Sequence, residues 1–220
     1  MKESHMRTKL AHTGDLELAK KIQSSVSVPK VLPIYMSSVF TFDDVPSLDA
    51  VYAGEADGYV YSRMTNPSTD AAEEMLAAAE GADGALVFSS GMAAIINAII
   101  ANMQAGDHIV AAETIYGGTY NLFGVTLPKL GIEVTFVDQD ASEEEIARAF
   151  RPNTKALFGE TISNPGVAVL DIEKFARIAH GHGVPLIVDN TFATPINCRP
   201  IEWGADIVTH STTKYMDGHA

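Results

Sequence analysis

Short apolar runs alternate with helix-forming segments along most of the chain, and this alternation restricts the possible folds more than any other feature. Buried parallel strands read as continuous apolar runs, and connections between them are usually helical. We predict strands at 85–88, 108–112, 133–137, 155–159, 184–188 and 205–208. We predict the main intervening helices at 70–80, 92–103, 119–130, 142–150 and 171–182. The sequence therefore predicts an α/β fold with a mostly parallel sheet flanked by helices.

Charge and cysteine content exclude several functional classes. The formal net charge is −13, which disfavours a nucleic-acid partner or an anionic membrane surface. A single cysteine, Cys198, excludes an intrachain disulfide framework and a multi-cysteine metal site. The seven histidines show no spacing typical of metal ligands, so we predict no metal site. The first residues contain no apolar stretch, and we predict a soluble cytoplasmic protein with no membrane partner.

The first part of the chain lacks the regular alternation. A short helix is predicted at 16–22, an extended run at 34–42 and a helical turn at 46–52. We interpret residues 1–60 as an extended N-terminal arm that contacts another subunit, or else lies over its own core. Residues 61–220 are predicted to form one domain.

A lysine follows the last predicted strand and a cluster of hydroxyl groups. Ser211, Thr212 and Thr213 directly precede Lys214. A lysine amine forms a Schiff base with an aldehyde cofactor such as pyridoxal phosphate, and nearby hydroxyls can bind the phosphate. A surface lysine after a strand is the plainer interpretation of these residues taken alone.

A second candidate site lies between a predicted strand and the helix that follows it. Ser90, Gly91 and Met92 would place free N–H groups at a helix start, where anions bind. A serine-capped turn with no ligand explains the same residues.

Other candidate residues lie at strand ends or in turns. Asp189 ends an apolar strand and could pair with a protonated ring nitrogen or cap the next turn. Tyr116 could stack on a flat ring, or be a half-buried surface tyrosine, and Asn164 could bind a phenolic oxygen or belong to an ordinary Asn-Pro turn. Arg63, with Tyr61, could bind phosphate or lie solvated in a loop.

The order of these motifs resembles the Cys/Met-metabolism family of pyridoxal-phosphate enzymes. That family has the fold type I large domain of pyridoxal-phosphate-dependent transferases, and the resemblance extends from about Pro33 to the end of the sequence. It implies pyridoxal 5'-phosphate as cofactor, sulfur amino acids or homoserine esters as substrates, and a homo-oligomer, with a homotetramer formed as a dimer of dimers. A nicotinamide-binding domain fits less well, because no Gly-x-Gly-x-x-Gly turn follows the first strand.

The resemblance also implies a role for each candidate. Lys214 would bond to the cofactor and move protons, and Tyr116 would stack on the ring and assist that transfer. Asp189 would pair with the ring nitrogen, and Asn164 would contact the ring oxygen. The residues expected at the phosphate are Ser90, Gly91, Met92, Ser211 and Thr213. Tyr61 and Arg63 would reach the phosphate site of the neighbouring subunit.

The motifs around Tyr61, Gly118 and Glu160 look closest to those of O-acetylhomoserine sulfhydrylases. We predict γ-replacement on a homoserine ester, with methionine γ-lyase and cystathionine γ-synthase or γ-lyase as alternatives. A non-catalytic, cofactor-binding or oligomerising fragment is the alternative of another class. Family members are longer, and we expect the small C-terminal domain and its substrate-binding arginine to be missing from these 220 residues, which would then turn over substrate poorly.

Overall fold

The computed structural model describes residues 32–218. It divides into two compact units, one ending at Asp70 and the other beginning at Ala71. The helix predicted at 16–22 lies outside the described residues.

The first unit has little regular structure. Helix α1 (Val45–Tyr52) begins after Asp44, whose carboxylate accepts a hydrogen bond from the N–H of Ser47, as N-cap residues commonly do. The run predicted to be extended, 34–42, forms only one antiparallel bridge, between Val39 and Tyr61. The assignment of 1–60 as a subunit-contacting arm stays a prediction.

The second unit contains a five-stranded sheet in the order β2-β1-β3-β4-β5. The strands are β1 (His108–Ala112), β2 (Glu133–Val137), β3 (Thr154–Glu160), β4 (Leu186–Asp189) and β5 (Ile207–Thr209). Every neighbouring pair is parallel, so all five carboxyl ends lie along one edge. The prediction of a parallel sheet with flanking helices is confirmed.

Helices precede the first strand and connect the strands that follow. They are α2 (Pro67–Glu80), α3 (Gly91–Ile100), α4 (Gly117–Asn121), α5 (Leu127–Lys129), α6 (Glu143–Ala147), α7 (Ile172–Gly181) and α8 (Thr194–Asn197), with a π-helical turn at Leu122–Thr126 and a 3₁₀ turn at Pro200–Trp203. Helix α7 buries Ile172, Phe175, Ala176, Ile178 and Ala179. This spacing of three and four residues gives one apolar face, which packs on β3 and β4.

The core lies between the sheet and these helices. β1 and β4 are buried along their whole lengths. The rings of Phe123 and Phe158 meet edge to face, with centroids 4.9 Å apart. Among the described residues, no helix is long and apolar enough to cross a membrane.

Several predicted elements differ from the structure. Residues 85–88 do not form a strand: Leu86 is 73% exposed, and the N–H of Val87 donates to the Glu73 carboxylate instead of a sheet. An apolar run becomes a strand only where a neighbouring strand accepts its hydrogen bonds. Helix α2 begins at Pro67, not at Asp70, because proline suits the first helical position.

Candidate active site

Three polar side chains lie side by side at the carboxyl edge of the sheet. Glu160 ends β3, Asp189 ends β4 and Thr209 ends β5, and the strand register pairs each with the next. All three residues are buried. Ligands of parallel α/β sheets bind at this edge, so the strand ends mark the candidate site.

Asp189 is a buried carboxylate held by neutral donors. The N–H of Thr191 donates to one carboxylate oxygen at 2.9 Å, and the hydroxyl of Thr209 donates to the other at 3.2 Å. Burial raises the pKa of Asp189, while the Thr191 and Thr209 hydrogen bonds and the nearby charge of His210 partly offset the rise. Burial disfavours the charged form, so a cation in contact with Asp189 would stabilise it.

Glu160 is a site residue that the sequence predictions missed. Its carboxylate accepts a hydrogen bond from the backbone N–H of Tyr116 at 2.6 Å. Burial, together with the negative charge of Asp189, raises the pKa of Glu160 to about 8. A carboxylate at the end of a buried strand was the signal used for Asp189, and the same signal could have identified Glu160.

The start of α3 lies directly against the segment that follows β5. A Cβ built on Gly91 would come within 2.7 Å of Ser211 Cβ. The Ser90 hydroxyl caps the helix by accepting the N–H of Ala93 at 3.1 Å. This leaves the N–H groups of Gly91 and Met92 without hydrogen-bond partners among the described residues. Ser90 can therefore cap the helix while the N–H groups of the next two residues bind an anion.

The segment after β5 is fixed at Ser211 and exposed beyond it. The N–H of Ser211 donates to the Thr191 hydroxyl at 2.8 Å, and the N–H of Lys214 donates to the Ser211 carbonyl at 3.2 Å. Thr213 and Lys214 are exposed to solvent. The lysine therefore lies in a turn just beyond the carboxyl edge.

The other predicted site residues lie in loops. Tyr116 is 48% exposed at the start of α4, and the hydroxyl of Thr119 in that helix lies 3.9 Å from the Met92 sulfur. Asn164 is exposed in the loop after β3. Tyr61 and Arg63 belong to the first unit, where the guanidinium carbon lies 5.6 Å from the centre of the tyrosine ring.

Comparison with known protein families gives one match that spans nearly the whole chain. Residues 8–220 match the family described as Cys/Met metabolism PLP-dependent enzymes. The chain belongs to this family. The resemblance seen in the motifs is thus confirmed, and pyridoxal phosphate is the cofactor of the family.

Members of the family with several activities are similar to this chain. It is 50% identical over 207 residues to the O-acetyl-L-homoserine sulfhydrylase of Corynebacterium glutamicum, with 94% of the chain and 47% of that protein covered. It is 48% identical over 188 residues to an L-methionine gamma-lyase of Porphyromonas gingivalis, with 85% and 47% covered. The chain spans about half the length of the curated relatives it matches.

A solved member of the family has the same fold. The structure of an O-acetylhomoserine (thiol)-lyase from Campylobacter jejuni superimposes with a TM-score of 0.80 at 37% identity, covering 85% of this chain and 46% of that one. That structure carries N'-pyridoxyl-lysine-5'-monophosphate, a lysine bonded to the cofactor. The fold type I prediction is confirmed, whereas the cytoplasmic and homotetramer predictions stay predictions.

The residues of this chain suit the family cofactor. The N–H groups of Gly91 and Met92 and the adjoining Ser211 present donors of the kind that phosphate binds. Asp189 offers a buried carboxylate of the kind that holds a protonated ring nitrogen. The close approach of Gly91 to Ser211 shows that the backbone is packed tightly where these donors lie.

The pKa of Glu160 leads to a pH-dependent stability. The Glu160 carboxyl has a pKa of about 8 in the folded protein, compared with an ordinary value of 4.5. Between these pH values the folded state binds more protons than the unfolded state, so the free energy of unfolding falls as pH rises. We expect Glu160→Gln, which stays neutral, to reduce the fall in Tm between pH 6 and pH 9. A one-unit change in pKa is worth about 1.4 kcal/mol, which is about 3–6 °C in a chain of this size.

Thermal melts of the cofactor-free protein across this pH range measure the effect. Glu113→Gln is the control, because Glu113 is exposed in the loop after β1. If Glu160→Gln and the wild type lose Tm equally from pH 6 to pH 9, Glu160 does not hold a proton in the folded protein.

Proposed function

We propose that the protein is a pyridoxal-phosphate-dependent enzyme of sulfur amino-acid metabolism that replaces the γ-substituent of a homoserine ester, converting O-acetylhomoserine and sulfide to homocysteine and acetate. The carboxylate–lysine arrangement at the carboxyl edge carries the proposal, since Asp189 ends β4 and Lys214 follows β5 in this family member. The similarity to the Corynebacterium glutamicum sulfhydrylase supports this choice of reaction.

Each site residue has a defined task in this proposal. Pyridoxal phosphate, when bound, supplies an aldehyde that condenses with amines and a ring that withdraws electrons from the substrate. Lys214 Nζ would hold the cofactor covalently and, once the substrate amine has displaced it, would take the proton from the substrate α-carbon. The Asp189 carboxylate holds the proton on the ring nitrogen, and the Tyr116 hydroxyl assists proton transfer.

The remaining residues bind and orient. Ser90, Gly91, Met92, Ser211 and Thr213 form the phosphate site, and Asn164 contacts the ring oxygen. Tyr61 and Arg63 reach the phosphate of a neighbouring subunit, so the active protein is at least a dimer and is proposed to be a dimer of dimers. The arginine fork and its contact with the tyrosine ring suit a bidentate phosphate ligand.

Methionine γ-elimination is the second candidate, because the Porphyromonas gingivalis relative is an L-methionine gamma-lyase. The absence of a cysteine at Gly118 favours replacement over this alternative. Methionine γ-lyases usually carry a cysteine at the matching position. A Cβ at Gly118 would come within 2.5 Å of the Tyr116 ring, so a cysteine there requires the ring to move.

Product analysis tests the proposal on the protein expressed from its complete gene. With pyridoxal phosphate, we expect homocysteine from O-acetylhomoserine plus sulfide, and little oxo acid or ammonia from methionine or cystathionine. Oxo acid and ammonia formed mainly from methionine would make the protein a lyase. A protein that binds the cofactor but acts on none of these substrates would support the non-catalytic alternative.

Gly91→Ala tests the proposed phosphate site. The added methyl would fall 2.7 Å from Ser211 Cβ and 2.9 Å from Ser211 Cα, so backbone must shift. We expect pyridoxal-phosphate affinity to fall and stability to drop by about 1–3 kcal/mol, the usual effect of overpacking. Cofactor titration and urea unfolding measure these effects.

Gly181→Ala is the matched control, because a Cβ at Gly181 in α7 meets no atom within 4 Å. Unchanged cofactor affinity in Gly91→Ala would contradict the placement of the phosphate at the start of α3.

A further inference from the structure

Helix α2 buries a carboxylate in place of an apolar side chain. The structure describes all 14 residues of this helix, and Glu80 is its only buried residue. The Glu80 side chain is 6% exposed. Burial of an ion pair contributes little net stability against an apolar pair of the same size. The position of Glu80 therefore calls for an explanation other than core packing.

Glu80 is paired with His210, which lies immediately before Ser211. Glu80 Oε1 contacts His210 Nε2, and the histidine side chain is 10% exposed. The same oxygen accepts a hydrogen bond from Asn190 Nδ2 at 3.0 Å. One carboxylate oxygen thus joins the residue after Asp189 to the residue before Ser211.

Asn190 is fixed by further hydrogen bonds. Its N–H donates to the Thr209 carbonyl at 2.9 Å, and its side-chain oxygen accepts the Thr161 hydroxyl at 2.8 Å. Its side-chain amide also donates to the Cys198 carbonyl at 2.9 Å. Asn190 is fully buried, so these contacts fix the end of β4 against the ends of β3 and β5.

We propose that Glu80 is a positioning residue, which acts through His210 and Asn190 to hold the Lys214 segment in register with Asp189. The inference rests on the proposed roles of Lys214 and Asp189. Ser211 and Lys214 follow His210 within one turn, and the Ser211 carbonyl accepts the Lys214 N–H. A shift of His210 therefore moves Ser211 and Lys214 together.

The charge of the pair, like its geometry, supports the proposed role of Asp189. When protonated, His210 lowers the pKa of Asp189 and so stabilises its carboxylate. Glu80, as the partner of His210 Nε2, fixes the position of that charge. Glu80 thus affects both the position of the lysine and the charge of the aspartate.

Glu80→Gln tests the inference, because it keeps the shape of the side chain and removes the charge. The full-length protein is incubated with limiting pyridoxal phosphate and reduced with borohydride, and mass spectrometry measures the fraction of Lys214 that carries the pyridoxyl group. We expect a smaller labelled fraction in the variant. We also expect kcat to fall about 100-fold, the loss that a displacement of about 1 Å causes, with KM little changed.

Glu74→Gln is the matched control, since Glu74 is exposed on the same helix, and it should behave as the wild type. His210→Gln should reproduce the Glu80→Gln result, which keeps the test decisive if one variant is poorly folded. Wild-type labelling and kcat in both folded variants would overturn the inference. If neither variant folds, the pair is a folding determinant and the inference is wrong. An unlabelled Lys214 in the wild type would overturn the proposed function, and this inference with it.

Discussion

Lys214→Ala is expected to abolish covalent cofactor binding and to lower kcat by about 10⁴-fold or more, because one amine performs both nucleophilic and proton-transfer tasks. The side chain is exposed in the turn after β5, and its removal leaves no cavity in the core. We therefore expect the Tm of the cofactor-free variant to match that of the wild type. Borohydride trapping and steady-state assays of the full-length protein measure the two losses.

Lys155→Ala is the control for this experiment. Lys155 is an exposed lysine near the start of β3, at the opposite edge of the sheet from Lys214. Its removal should leave labelling and activity unchanged. A Lys214→Ala protein that still forms a covalent adduct with the cofactor would show that another lysine carries it, and the proposed site would be wrong.

The sheet could be predicted because its strands contain short apolar runs, such as those at 109–112 and 186–188. Strand β1 lies at the predicted residues, and β3 extends the prediction by one residue at each end. Strand β5 begins two residues later than predicted. Ala205 is buried, but Asp206 is exposed and its carboxylate accepts the Leu186 N–H. The regular pairing of β5 with β4 therefore begins after Asp206.

The strand predicted at 85–88 shows that an apolar run alone does not establish a strand. Sequence pattern identifies a segment that can enter a sheet, but the hydrogen-bond partner is decided by tertiary structure. The β5 strand is the last of the sheet in the described residues, and 85–88 does not pair with it. The extended segment consequently leaves Leu86 exposed.

The candidate site was predictable where a motif follows a strand end. Asp189 ends β4, Tyr116 follows β1 and Lys214 follows β5, and the shared edge of a parallel sheet brings such positions together. The Glu80–His210 pair could not be found in this way, because its members are 130 positions apart and no sequence motif links them. Such a pair is defined only by the tertiary fold.

Asp189→Asn is expected to lower kcat by about 100- to 1,000-fold while raising the Tm of the cofactor-free protein. Activity falls because the variant lacks the negative charge opposite the ring nitrogen. In the wild type this carboxylate stabilises the protonated ring during the reaction. The gain in stability follows from burial, which raises the pKa of Asp189 and disfavours its carboxylate in the folded state. An amide of the same shape avoids that cost.

The two effects of opposite sign distinguish a functional aspartate from a structural one. If Asp189 served only to cap the turn through the Thr191 N–H, the asparagine oxygen could accept the same hydrogen bond, and kcat would stay near the wild-type value. Asp206→Asn is the control, because Asp206 is exposed just before β5 begins, and its carboxylate contacts the Leu186 N–H and His180 instead of the residues at the strand ends. Melting curves of cofactor-free protein and steady-state assays of loaded protein give both quantities. A fall in Tm with unchanged kcat in Asp189→Asn would assign the carboxylate to the fold alone and leave the ring nitrogen without its proposed partner.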